Sequence, residues 1–150
     1  MPDSVLRRRL PDAAATASLA CAVADCLRPG DAVLLEGPLG AGKSAFARAA
    51  IRHLAGDPAL DVPSPSYTLV QSYETKRGRV HHFDLWRLAG PGDVTELGWE
   101  EARGDIVLVE WFDRLGDLRP PDALTVALAH AEDDARNASL TGWAGRLDGI

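Results

Sequence analysis

The sequence predicts an α/β domain of three layers, with helices on both faces of a mixed central sheet. Three observations carry that expectation. Short apolar runs, AVLLEG (32–37), DIVLVEW (105–111) and ALTVALAH (123–130), are separated by stretches with apolar residues at helical spacing. Those runs are apolar nearly throughout rather than alternating, which suits strands covered on both faces. Two further β-rich runs, VPSPSYTLVQSYE and RGRVHHFDLW, meet at TKRG, and read as a hairpin that adds antiparallel strands to a parallel sheet. The length of 150 residues suits a single domain spanning 1–150.

In chain order, the alanine-rich segment from Asp12 to Leu27 has the spacing of a helix, which RPGD (28–31) stops with Pro and Gly. AVLLEG follows as a buried strand. Residues from about Lys43 to Leu54 read as a second helix, closed by AGDP. The Tyr-, Thr- and Val-rich hairpin comes next. GPGD (90–93) then breaks the chain, and VTELGWEEA (94–102) reads as a short helical piece. DIVLVEW and ALTVALAH are two more buried strands, and the tail from Glu132 to Ile150 holds a last strand around Ala138–Thr141.

Composition narrows the function. With 46% hydrophobic and 25% charged residues the chain has the make-up of a soluble globular protein. It has no apolar run of the ~18 residues that a membrane span needs. The basic N-terminal stretch MPDSVLRRRLPD has no apolar segment behind it and is not read as a secretion signal. Cys21 and Cys26 fall on the first helix about 140° apart, too far round for a mutual disulfide or a shared metal. Free thiols point to a reducing compartment, the cytoplasm. The net charge of −6 argues against a protein that works by binding nucleic-acid phosphates. Arg7-Arg8-Arg9, the one dense basic run, reads as a solvated arm.

The chemistry is concentrated in LLEGPLGAGKSAFARAA, residues 34–50. Within it Gly37, Gly40, Gly42, Lys43 and Ser44 complete a G-x-x-x-x-G-K-S phosphate-binding loop, set where it belongs between a buried strand and a helix. Backbone N–H groups of Gly40, Gly42 and Lys43 can converge on phosphate oxygens only where no Cβ blocks the approach. The helix N-terminus adds positive potential at the same place. Lys43 reaches the outer phosphates and the Ser44 hydroxyl can hold Mg²⁺. Ala41 and Ala45 lie in the same nucleotide-contacting stretch. The expected architecture is therefore a three-layer P-loop NTPase domain with a mixed central sheet.

Two acids could serve beside that loop. Asp84 in HHFDLWRL and Glu110 in DIVLVEW each end a predicted strand, where a magnesium ion or its water shell is held in such folds. The residues alone do not choose between them. The only asparagine, Asn137, is followed by Ala138, so the Asn-Lys-x-Asp loop that reads guanine is missing and ATP is expected. A small-molecule kinase would carry an arginine-rich lid. Here Arg77, Arg79, Arg87 and Arg103 are dispersed, which disfavours that alternative; a nucleotide sensor without turnover is the other one.

GPLGAGKS, VPSPSYTLVQSY, HHFDLWRL, LGWEEA and LVEW occur in the order and spacing of the bacterial TsaE (YjeE) family, which the chain resembles from about Asp12 to Ala129. Trp86 departs from the tyrosine usual there, and Phe112-Asp113 from a proline-acid pair. The C-terminal tail matches poorly. The resemblance implies an ATPase of tRNA threonylcarbamoyladenosine formation that binds the TsaB–TsaD heterodimer and supports its turnover without transferring the threonylcarbamoyl group. The tRNA would then be handled by the partner, with no strong tRNA binding by this chain. It implies Mg²⁺ on Ser44 and Glu110, and catalytic roles for Lys43, for Asp84 near the γ-phosphate and for Thr68 close to the phosphates. It implies a nucleotide-sensing loop at Ser64–Thr68, Trp111 beside the site, and Thr16 and Arg136 near the adenosine.

Overall fold

Strand β1 (Val5–Leu10) leads into helix α1 (Ala13–Asp25), and β2 (Ala32–Glu36) leads through the glycine loop into α2 (Lys43–Ala55). The hairpin is β3 (Val70–Thr75) and β4 (Gly78–Asp84), followed by the short helices α3 (Pro91–Thr95) and α4 (Trp99–Ala102). Then come β5 (Ile106–Glu110), β6 (Leu124–His130) and β7 (Arg136–Thr141). The computed structural model describes residues 5–38, 40–143, 145–148 and 150. Residues 1–4 of the basic stretch, Leu39 of the loop, and Ala144 and Gly149 of the tail lie outside them.

The strands form one mixed sheet in the order β1-β7-β6-β2-β5-β4-β3. β4, β5, β2 and β6 are mutually parallel, while β3, β7 and β1 add antiparallel edges. Side chains of central strands alternate between two cores. Val33 and Leu35 of β2, with Ile106 and Leu108 of β5, face α1 and α2. Ala32 and Leu34, with Val107 and Val109, face the side of α3 and α4. This is the three-layer arrangement, with both faces of the parallel strands covered.

Helix α2 is placed by its apolar stripe. Phe46, Ala47, Ala50, Ile51 and Leu54 are buried at i, i+1, i+4, i+5 and i+8, the band that one helix face presents to a core. Burying the large side chains Phe46, Ile51 and Leu54 contributes about 5–9 kcal/mol at ~1.5–3 kcal/mol each, which fixes the start of the helix against the sheet. Gly56, at φ 68°, ends it in the left-handed conformation that glycine adopts without strain. Helix α1 starts at Asp12, whose carboxylate accepts from the Ala15 N–H at 2.8 Å.

Several elements differ from expectation. Arg7–Arg9 is no solvated arm but the middle of β1, paired antiparallel with β7 from Val5↔Thr141 to Leu10↔Arg136. Leu10 is buried and Leu6 packs on the same core, so this edge strand has an apolar side. Its exposed arginines discourage further pairing. The β-like reading of VPSPSYTLVQSYE holds only from Val70; the preceding residues form a loop. The segment after β4 is two short helices, the first opening at Pro91. The last strand begins at Arg136 rather than Ala138. Cys21 and Cys26 are both free thiols.

Candidate functional site

The glycine loop closes over the carboxyl end of β2. Gly37 stands at φ 151°, and a Cβ there would lie 2.4 Å from the Leu128 carbonyl oxygen of β6. Gly40 and Gly42 take φ 80° and 105°. Only glycine meets these requirements without strain. The N–H groups of the first helical turn of α2 have no partner within the helix, so they are open to an anion at the loop.

Four ionisable side chains are buried around this loop: Lys43 (6% exposed), His82 (1%), Asp84 (4%) and Glu110 (3%). β4 and β5 are neighbours in register, with Asp84 opposite Glu110. The pleat turns both carboxylates, and His82 two residues before Asp84, to the α2 side. Ser44 donates to Glu110 at 3.0 Å (Oε1) and 3.2 Å (Oε2). His82 Nε2 lies 2.8 Å from Glu110 Oε2. Lys43 Nζ lies 4.3 Å from the centre of the Trp111 ring, a cation–π contact.

Burial pushes the Asp84 carboxyl above the usual range, and the nearby Glu110 charge adds to that. The Trp86 N–H at 3.3 Å and the Ser66 hydroxyl at 3.2 Å act the other way. Two neighbouring buried carboxylates, with the Lys43 ammonium over an indole ring, form a site that favours a cation. The Ser44 hydroxyl and the Glu110 oxygens form a hard-oxygen donor set, the chemistry that Mg²⁺ takes.

A cavity of about 740 Å³ opens over the cluster, within the size range of small-ligand sites. Gly40, Gly42, Lys43, Ser44, Ala45, Asp84, Glu110 and Trp111 all line it. Ser64, Ser66, Tyr67, Trp86 and Arg87 close its other side. Arg87 donates to the carbonyls of Ser66 (3.0 Å) and Tyr67 (2.6 Å), pinning that loop.

The structure does not bring every expected residue there. Gly37 and Ala41 belong to the loop but are not among the residues lining the cavity, and Ala41 is fully buried. Thr16 is buried in α1, its hydroxyl 3.5 Å from the Asp12 carbonyl. Thr68 is exposed and accepts a bond from Gln71 at 3.1 Å. Arg136 grips the loop from β7, donating to the carbonyls of Ala41 and Gly40 at 3.2 Å each. His82 and Arg87 were not foreseen. For His82 the signal was present: it is two residues from Asp84, and a strand's period of two puts the pair on one face.

The family model for "Threonylcarbamoyl adenosine biosynthesis protein TsaE" matches residues 10–138, and every residue lining the cavity falls inside that span. The chain belongs to the TsaE family. A TsaE protein of Rickettsia felis is 39% identical over 126 residues, covering 83% of this chain and 73% of that one. One from Nostoc is 32% identical over 146 residues, covering 93% and 87%. Both are named tRNA threonylcarbamoyladenosine biosynthesis proteins. The crystal structure of Bacillus subtilis YdiB superposes with a TM-score of 0.78 at 26% identity, covering 99% of this chain and 92% of that one. The seven-stranded mixed sheet is thus a P-loop NTPase fold as TsaE proteins wear it. Among the described residues no helix is long and apolar enough to cross a membrane.

Proposed function

We propose that this TsaE-family chain is a magnesium-dependent ATPase. It acts on the TsaB–TsaD heterodimer in the cytoplasm, supporting its turnover in threonylcarbamoyladenosine formation without transferring the threonylcarbamoyl group itself. The observation that supports this most is the placing of Lys43 and Ser44 opposite Asp84 and Glu110, on adjacent elements around one cavity. The net charge of −6 fits a protein whose partner handles the tRNA.

In this reading the N–H groups of Gly40, Gly42, Lys43, Ser44 and Ala45 cradle the phosphates, with Gly37 and Ala41 shaping the loop beneath them. Lys43 exchanges the Trp111 ring for the outer phosphates, and Trp111 then flanks the nucleotide. Ser44 and Glu110 hold Mg²⁺, which when bound offsets the negative charge of the phosphate oxygens. Asp84 orients the attacking water and accepts its proton at a carboxylate oxygen; a carboxyl held above its ordinary range by burial is suited to that. The loop Ser64–Thr68, tied to Asp84 through Ser66 and to Arg87 through its carbonyls, is the nucleotide-sensing element. Thr68 reaches the phosphates once this loop is rearranged by nucleotide and partner. Arg136, already bonded to the loop, and Thr16 border the adenosine.

The test separates the two acids. Glu110→Ala is expected to weaken Mg²⁺-dependent nucleotide binding, since an oxygen ligand to a hard cation is lost. Asp84→Ala is expected to spare binding and lower hydrolysis by about 10²–10⁴-fold. Normal phosphate release by a folded Asp84→Ala variant would remove Asp84 from the mechanism.

A further inference from the structure

His82 is the buried polar side chain that the proposed chemistry leaves unused. It is 1% exposed, and its Nδ1 is buried without a hydrogen-bond partner among the described residues. An orphaned buried polar atom is costly. Val80, two residues earlier on the same strand face, fills its place with hydrocarbon alone. What offsets the cost at position 82 is the bond at the other ring nitrogen, Nε2, to Glu110 Oε2 at 2.8 Å.

Glu110 has few other means of holding its orientation. It is 3% exposed, and among the described residues its carboxylate is bonded by Ser44 and His82. Ser44 is nearly equidistant from both oxygens, so it does not select between them. His82 does: its N–H occupies Oε2, whereas Oε1 has the Ser44 hydroxyl as its one partner among the described residues. With Nε2 as the donor to the carboxylate, the tautomer that leaves Nδ1 with a lone pair strands no buried N–H.

We propose that His82 is a positioning residue. By donating from Nε2 to Glu110 Oε2 it holds the carboxylate with Oε1 presented, beside Ser44 Oγ, to the divalent cation that accompanies the nucleotide. The proposal rests on the reading of Ser44 and Glu110 as the cation-holding pair. Removing a group that hydrogen-bonds and orients a metal ligand typically costs about 10–100-fold in metal affinity. The imidazole touches neither the phosphates nor the water; it acts through Glu110 alone.

The experiment is a titration of the full chain with a fluorescent ATP analogue, once with Mg²⁺ and once with EDTA. Wild type is expected to bind more tightly with Mg²⁺; equal affinities would overturn the cation reading and this proposal with it. Given that gain, His82→Leu is expected to lower affinity in Mg²⁺ by about 10–100-fold while leaving affinity in EDTA within about twofold. His82→Gln, whose amide N–H can reach the position of Nε2, is expected to restore most of the loss. In a Glu110→Gln background His82→Leu should add no further loss. An unchanged magnesium gain in folded His82→Leu overturns the proposal. So does an equal loss with and without the ion, which is what a packing role alone would give. Should His82→Leu not fold, His82→Asn, too short to reach Glu110, replaces it; Asn and Gln variants that bind alike in Mg²⁺ would also overturn the proposal.

Discussion

Gly37→Ala and Gly40→Ala are the same chemical change three residues apart in one loop, and the structure separates their consequences. Both positions have a positive φ, 151° and 80°. Holding alanine at a positive φ costs about 1–3 kcal/mol, offset by the ~0.4–1 kcal/mol that alanine gains by restricting the unfolded chain. At Gly40 nothing further is added, because the new Cβ meets no described atom within 4 Å. At Gly37 the Cβ would stand 2.4 Å from the Leu128 carbonyl oxygen and 3.3 Å from Ala41 Cβ. The first of these is backbone in a sheet strand and has nowhere to turn. Overpacking of that kind costs about 1–3 kcal/mol more. A midpoint of ~2 kcal/mol corresponds to a melting temperature about 4–8 °C lower for Gly37→Ala than for Gly40→Ala in a chain of this size. Urea unfolding and thermal melts of the two variants measure the difference directly. If Gly37→Ala is no less stable than Gly40→Ala, the loop does not pack on β6 as described, and the argument from close approach fails.

Lys43→Ala should leave the fold intact and weaken binding of a fluorescent ATP analogue about 10–100-fold, the loss of a charge-assisted contact worth ~1.5–3 kcal/mol; unchanged affinity in a folded variant would sink the phosphate-loop reading. ATP and ADP should displace that probe at lower concentration than GTP and GDP, and the reverse order in a competition titration would refute the choice of base. Asp84→Asn should change the pH dependence of stability in EDTA. Because burial raises the carboxyl's pKa on folding, its proton-linked stabilisation is complete below the unfolded value near ~3.9 and is lost as pH rises through the folded value. Urea midpoints from about pH 4 to about pH 8 should therefore fall for wild type relative to Asp84→Asn; parallel profiles would contradict a desolvated carboxylate at this position.

Much of this was legible because the informative residues are also the locally constrained ones. β2 and β5 carry unbroken apolar runs because both faces of each are covered. The glycines of the loop declare a backbone requirement, and α2 declares its buried face by spacing. Asp84 and Glu110 could each be recognised as a strand-end acid. That they stand side by side follows from the order β2-β5-β4, a long-range pairing that no local pattern encodes. The same limit hid β1: three consecutive arginines dominate its local reading, whereas its partner β7 lies at the other end of the chain. The 3₁₀ segment Phe112–Leu118 was missed as well. It starts after Trp111 at φ 58° and is broken by a kink at Gly116 (φ 52°), and a tryptophan gives no sign of the left-handed conformation. The bond of Thr68 with Gln71 and those of Arg136 with the loop carbonyls are likewise set by how the loop and β7 fold back, which no local pattern encodes.

The claim with most at stake is that hydrolysis at this cavity serves a partner. Steady-state phosphate release from ATP and Mg²⁺ should be measured for the wild-type chain alone, for the TsaB–TsaD heterodimer alone, and for the two together, with Asp84→Ala as the control for the source of the phosphate. A partner-dependent ATPase gives a rate for the mixture well above the sum of the separate rates, and Asp84→Ala abolishes the excess, because under the proposed function the heterodimer rearranges the Ser64–Thr68 loop beside Asp84. A mixture that releases phosphate no faster than its separate components would contradict the proposed function at its centre.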